Sequence, residues 1–322
     1  METNKYNNVN KLGDQCSYDY PFKKRARLLQ SWYRYNHLNI KEYGKGPYKN
    51  SENRYGNMLV DGDKTGKNFL NADIFHYANT KVYLKHNRIP EITIDEYRLY
   101  NNMLSSMPMC FNLFYPLRQA LEKKEPFIDT LFSNIFQDMS VCKVTGIDIE
   151  YIPLPINEYI DDKTAFDAVI WFEDSIGQKG IIGIEVKYTD KLGNNKASRN
   201  VRKLKVAEES GIFTPKAIEG IRNNGCTQIM RNILLTEAYR LHNKLTYSWS
   251  VILSPEDEPY SNNEIDNFRK LLMPDYHNKL KRVYLENFTD HCINGASDKY
   301  KQIFKDFKER YLAFDKVIGL LT

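Results

Sequence analysis

TAFDAVIWFEDSIGQKGIIGIEVKYTD, residues 164–190, decides how the rest of this chain is read. Its first part, roughly Ala165 to Glu173, alternates along a strand: Phe166, Ala168, Ile170 and Phe172 on one face, Asp167, Val169, Trp171 and Glu173 on the other. Its last part, roughly Ile181 to Thr189, places Ile182, Ile184, Val186 and Tyr188 on one face. Glu185 and Lys187 share the opposite face. The polar, glycine-containing segment Asp174 to Gly180 between them reads as a hairpin turn.

An antiparallel pairing centred near Ile176 sets Asp167 opposite Glu185, and one centred near Gly177 sets it opposite Lys187. In either register two carboxylates and an ammonium converge on one patch of sheet. Opposed residues have Cβ atoms about 4.5–5.5 Å apart, close enough to share a divalent ion. Two carboxylates completed by water and phosphate oxygens suit Mg²⁺. Lys187 is then placed to orient or deprotonate an attacking water, or to stabilise charge on a phosphate. A Glu-X-Lys strand is also a common solvated ion pair. Against that stand the apolar flank Ile181–Ile184, which marks a buried strand where charges need a reason, the acid in register on the preceding strand, and the later helix-like segment with Gln228 and Arg231.

Asp167 followed by Glu185-Val186-Lys187 resembles the Asp…(Asp/Glu)-X-Lys signature of the PD-(D/E)XK nuclease superfamily. The text Thr164–Asp167 and Ile184–Asp190 is similar to a group of bacterial restriction endonucleases within it. Echoes of that group occur at Gly66–Leu70, Leu104–Ser106, Asn112–Phe114 and Gln228–Asn232, so the likeness covers most of the chain. No proline directly precedes Asp167, a departure the superfamily tolerates. The resemblance implies an α/β, restriction-endonuclease-like core with a mixed central sheet flanked by helices. It also implies a metal-dependent DNA endonuclease with Mg²⁺ (Mn²⁺ as a substitute) held by Asp167, Glu185 and the Val186 carbonyl, and Lys187 positioning the water. In the superfamily the helix after the Glu-X-Lys strand packs beside the site. Gln228 and Asn232 stand where one exonuclease branch has Gln and Tyr, so this chain does not look like a member of that branch.

The chain has 322 residues, ordinary hydrophobic and charged fractions of 42% and 27%, and a net charge of +5. That mild basic bias permits a nucleic-acid surface without demanding one. The five cysteines are scattered, with no Cys-X-X-Cys pair, so neither a zinc site nor a disulfide framework is suggested, and reduced thiols in a cytoplasmic protein are expected. Residues 1–15 lack the apolar core of a signal peptide, and no apolar run approaches the roughly 20 residues of a membrane span. The expected partner is double-stranded DNA, with no membrane; a homodimer is compatible with the sequence, and a partner methyltransferase cannot be read from it.

Outward from the hairpin, the sequence divides into a helical and loop-rich N-terminal region, 1–92, and a nuclease-like domain, 93–322. The basic cluster Lys23-Lys24-Arg25-Ala26-Arg27 opens a helix and reads either as a phosphate contact or as a solvated helix end. Gly44 to Lys67 reads as loop and Asn71 to Asn87 as helix. Thr93 with Glu96 has the pattern of a capping box for a helix running to about Ser106. Met109 to Leu121 follows, broken or bent at Pro116, and then a helix from Phe127 to Met139. Gly146 to Leu154 is a strand carrying Glu150, either a supporting site acid or an ordinary exposed one.

Lys191, Lys196, Arg199, Arg202 and Lys203 form the strongest basic run, beginning at the mouth of the carboxylate patch, either as a DNA-contacting loop or as a solvated one. Thr227 to Asn243 reads as a helix with Gln228, Arg231 and Asn232 as supporting residues on one stripe. Tyr247–Ser254 and Arg282–Asn287 read as strands, Asn263–Met273 and Ser297 to about Val317 as helices. Two other functions fit the same text: a DNA-binding or assembly protein that kept the fold without cleavage, and a non-specific repair or transposition nuclease.

Overall fold

The computed structural model describes residues 10–190 and 200–320. Five strands form one sheet in sequence order: β1 (Lys143–Tyr151), β2 (Phe166–Glu173), β3 (Lys179–Val186), β4 (Tyr247–Ser254) and β5 (Leu280–Tyr284). The first three make an antiparallel meander, and β4 and β5 add parallel to β3 and to each other. The sheet is therefore mixed, the expected class.

Among the described residues the N-terminal region contributes α1 (Pro21–Trp32), α2 (Gly62–Thr65) and α3 (Ala72–Asn87). Next come α4 (Glu96–Asn101), α5 (Ser106–Glu122) and α6 (Phe127–Ile135) before the sheet. The β3–β4 crossover holds α7 (Val201–Ser210), α8 (Pro215–Asn224) and α9 (Gln228–His242), and the β4–β5 crossover holds α10 (Ser261–Arg269). The chain closes with α11 (Leu285–Gly295), α12 (Asp298–Leu312) and α13 (Asp315–Ile318).

The β2–β3 alternation places Ala168, Ile170, Phe172, Ile182, Ile184 and Val186 in a core shared with α5, α6, α11 and α12. Phe22 and Ala26 of α1, and Ile74 and Ala78 of α3, enter that same core. On the opposite face Val169, Ile181 and Ile252 pack with Ile229, Ile233 and Leu234 of α9. Each fully buried side chain of this size contributes about 1.5–3 kcal/mol, so the central strands are held from both sides. Phe166, expected on the Ala168 face, lies instead in the α9-side core. Its ring occupies the space left by Gly183, where a Cβ would come within 2.6 Å of it.

Local chemistry explains where other boundaries differ from the sequence reading. The helix expected from Thr93 is capped by Asp95, whose side chain accepts from Arg98 N–H, and it stops at Asn101. A second start follows at once: Ser105 accepts from Met107 N–H and caps α5. That helix runs unbroken through Pro116 to Glu122. The helix expected to reach Met139 ends at Ile135, and the strand expected over Arg282–Asn287 is β5, which gives way to α11 at Leu285.

Two of the motif-like texts outside the hairpin, Gly66–Leu70 and Asn112–Phe114, meet in space. Asn112 of α5 accepts from Leu70 N–H at 2.9 Å through Oδ1, and donates to the Asn68 carbonyl at 3.1 Å and the Tyr311 hydroxyl at 2.9 Å through Nδ2. The segment after β3 is pinned as well. Tyr188 donates to the Tyr311 carbonyl at 2.9 Å, and Tyr20 donates to the Thr189 carbonyl at 2.8 Å. The residues following Lys187 are thus tied to both ends of the chain. No described helix is long and apolar enough to cross a membrane.

Candidate active site

The β2–β3 ladder pairs Ala168 with Ile184, the register centred on Ile176, and this sets Asp167 across from Glu185. Asp167 Oδ2 accepts a hydrogen bond of 2.8 Å from Val186 N–H, so the acid of one strand is anchored to the backbone between Glu185 and Lys187 of the next. On the other side, β1 pairs Ile149 with Ala168 and Tyr151 with Phe166, which brings Glu150 level with Asp167. Glu150, Asp167 and Glu185 therefore form one row across three adjacent strands, whose usual spacing is about 4.8 Å.

Glu150 and Glu185 are almost fully buried, at 6% and 5% exposure. Glu150 also adopts φ +48°, a left-handed conformation uncommon for a residue other than glycine. Strain of this kind costs on the order of 1–3 kcal/mol and persists where surrounding structure fixes it.

Glu185 is the most heavily hydrogen-bonded of the three. Lys187 Nζ lies 2.7 Å from its Oε1, Gln228 Nε2 donates to the same oxygen at 2.6 Å, and Asn232 Nδ2 donates to Oε2. Gln228 and Asn232 are one helical turn apart on α9, which starts here because the Thr227 hydroxyl caps it by accepting from Met230 N–H. The helix packs against β3 and β4, and this directs both amides at the acid.

Crowding of carboxylates sets the electrostatics. Burial, together with the charges of Glu185 and Glu150, pushes the Asp167 carboxyl well above the usual carboxylate range. Burial pushes Glu150 up to about 7, with Glu185 adding to the effect and the positive fields of Lys81 and Arg98 opposing it. Burial would lower the Lys187 ammonium, but Glu185 and Asp167 outweigh it, so Lys187 is raised and holds its proton. Burial and mutual repulsion oppose ionisation of the three acids together, and a bound cation would relieve that repulsion.

Among the described residues no group of three or more His, Cys, Asp or Glu side chains is gathered as a metal cage. Asp167 and Glu185 offer hard oxygen donors, which suit a divalent cation that keeps water and substrate oxygens in its shell. Gln228 and Asn232 fix the orientation of the Glu185 carboxylate by donating one to each of its oxygens.

Arg231 lines the cavity on the α9 side together with Asp162 and Lys163. Arg202 and Lys203 are engaged with the protein at the start of α7. Arg202 donates to the carbonyls of Tyr159 and Glu158, while Lys203 is 1% exposed and pairs with Asp162. Their packing joins α7 to the β1–β2 connection and does not leave Lys203 accessible to DNA. Lys191, Lys196 and Arg199 lie outside the described residues.

Sequence reasoning missed other residues that share a cavity with the acids. A cavity of about 410 Å³ is lined by Asp167, Glu185 and Lys187 together with Lys23, Tyr48 and Arg98. Only the cluster at 23–27 carried a signal: Lys23 and Arg27 both line the cavity, and Arg27 is in addition held by Asp19 and Asn57.

A family model of the PD-(D/E)XK nuclease superfamily matches residues 17–313. No curated protein and no solved structure matches.

Proposed function

Because this chain belongs to the PD-(D/E)XK nuclease superfamily, we propose that it is a metal-dependent endonuclease that hydrolyses phosphodiester bonds in double-stranded DNA, of restriction or defence type. The observation that carries this reading is the Glu185 carboxylate, opposite Asp167 and held by Lys187, Gln228 and Asn232 at once. The restriction or defence assignment is supported by the likeness of the text around Asp167 and Glu185-Val186-Lys187 to that group of enzymes.

In this reading Asp167, Glu185 and the Val186 carbonyl hold Mg²⁺, with Mn²⁺ as a substitute. A divalent cation supplies Lewis-acid stabilisation of the negative charge that builds on a phosphate under attack. The rest of the work belongs to side chains. Asp167, fixed by Val186 N–H, keeps its carboxylate at a constant position relative to Glu185. Gln228 and Asn232 stop Glu185 from rotating. Lys187, protonated at Nζ, orients the attacking water through hydrogen bonding and counters phosphate charge. Glu150 adds a third acid at the edge of the row and supports the cation site electrostatically.

The test is conversion of supercoiled plasmid to nicked and linear forms by purified protein in Mg²⁺, abolished in EDTA. Binding of DNA without conversion in Mg²⁺ or Mn²⁺, across many DNA substrates, would favour a DNA-binding protein on the same fold.

A further inference from the structure

Two cavities meet at the carboxylate row. The first, about 410 Å³, lies toward α1 and α4; the second, about 470 Å³, lies toward α9 and the β1–β2 connection. They share Met107, Glu150, Asp167, Glu185 and Gln228 as walls, so the space is continuous past the acids. Each volume falls within the roughly 300–1,000 Å³ of sites that hold a small-molecule-sized group. Each also has cations of its own in its lining: Lys23 and Arg98 in the first, Lys163 and Arg231 in the second.

We propose that the two cavities seat the nucleotides on either side of the bond to be cut, with Arg98 gripping the phosphate on one side and Arg231 the phosphate on the other. This rests on the nuclease reading above. A row of acids offers a polyanionic strand no attraction of its own, so a strand crossing it needs cations in the cavities that adjoin the row. Arginine supplies a planar fork that matches phosphate oxygens. The Arg98 head makes long contacts, 3.3 Å to Ser105 Oγ and 3.4 Å to Asp190 Oδ2, and the latter is a half-exposed ion pair that a phosphate can replace at little cost. Arg231 feels the charge of Asp162, which Lys203 already pairs. Tyr48, 64% exposed at the rim of the first cavity, offers a ring on which a base can stack.

The experiment measures binding of a fluorescein-labelled DNA duplex in EDTA over a range of KCl, so that cleavage plays no part. Each phosphate contact contributes about 0.9 to the slope of log affinity against log salt. Arg98→Gln and Arg231→Gln should each lower the slope by about 1, and the double variant by about 2. Arg98→Lys and Arg231→Lys should restore it. Lys299→Gln, at an exposed lysine paired with Glu125, should keep the wild-type slope.

A second measurement uses duplexes with a methylphosphonate on one or the other side of the wild-type cut. Arg98→Gln should become indifferent to one substitution and Arg231→Gln to the other. An unchanged slope in either single variant, or indifference of both to the same position, overturns the proposal. Failure of the wild type to cut any DNA would instead overturn the nuclease reading, since the salt slopes are read without cleavage.

Discussion

Val186 N–H donates to Asp167 Oδ2 at 2.8 Å, and this bond fixes the first acid of the site to the strand that carries the second acid and leads directly into the lysine. Asp167→Asn keeps an oxygen that can accept that bond, whereas Asp167→Ala removes it. Both variants should lose cleavage, and Asn should be the more stable in thermal melts. In EDTA both should bind DNA as tightly as the wild type or more tightly, because neither variant can set a carboxylate charge against the phosphates.

Glu185 depends on α9 for its orientation. Gln228→Ala or Asn232→Ala should leave the fold intact and raise the Mg²⁺ concentration needed for half-maximal cleavage by about 10–100-fold, the usual cost of losing a group that orients a metal ligand. Titration calorimetry with Mn²⁺ provides a readout that does not depend on turnover. Unaltered Mn²⁺ affinity in both variants would contradict the orienting role.

Gly183 sets the distance between β3 and α9. A Cβ there would lie 2.6 Å from both the Phe166 ring and Thr236 Oγ1, so Gly183→Ala must push ring or helix away. A loss of about 1–3 kcal/mol is expected in denaturant melts, the usual cost of overpacking. Cleavage should fall as well, because the helix that moves carries Gln228 and Asn232. Stability equal to wild type would show that the contact relaxes freely.

The hairpin and α9 were legible in the sequence because their information is local. Alternation and a polar turn gave β2 and β3, and Thr227 marked the start of α9. Glu150 was legible as a candidate but not as a buried acid level with Asp167, since a left-handed φ at a glutamate leaves no trace in composition. The Thr93–Glu96 pattern was outcompeted by Asp95, two residues on, which places its oxygen on Arg98 N–H. The α7 helix was hidden by the density of its cations, two of which, Arg202 and Lys203, turn inward to Glu158, Tyr159 and Asp162. The Lys23, Tyr48 and Arg98 wall comes from three segments joined only by tertiary packing, which no short-range pattern reports.

Asp148 gives the structure an acid-sensitive element. Burial would raise its carboxyl, but Lys81 Nζ at 2.8 Å, with Tyr77 and the Ile149 N–H, outweighs burial and holds it below the usual value of 3.8. A depressed folded-state value means the unfolded chain binds more protons at low pH. The stabilisation is therefore present above about pH 4 and is lost as pH falls through the folded-state value. Asp148→Asn should cost on the order of 3 kcal/mol at neutral pH, by leaving Lys81 buried and unpaired. The gap between variant and wild type should narrow below pH 4 in melts monitored by circular dichroism. A gap that stays constant down to pH 3 would remove Asp148 from the acid response.

The central claim is that Asp167, Glu185 and Lys187 cut DNA with a divalent metal. Its most direct test is a paired assay on purified, folded Glu185→Ala and wild-type protein: plasmid cleavage in Mg²⁺, and DNA binding in EDTA at fixed salt. Cleavage by the wild type, none by the variant, and variant binding equal to or tighter than wild type is the expected result. Wild-type-like cleavage by Glu185→Ala would contradict it and place the catalytic site elsewhere in the chain.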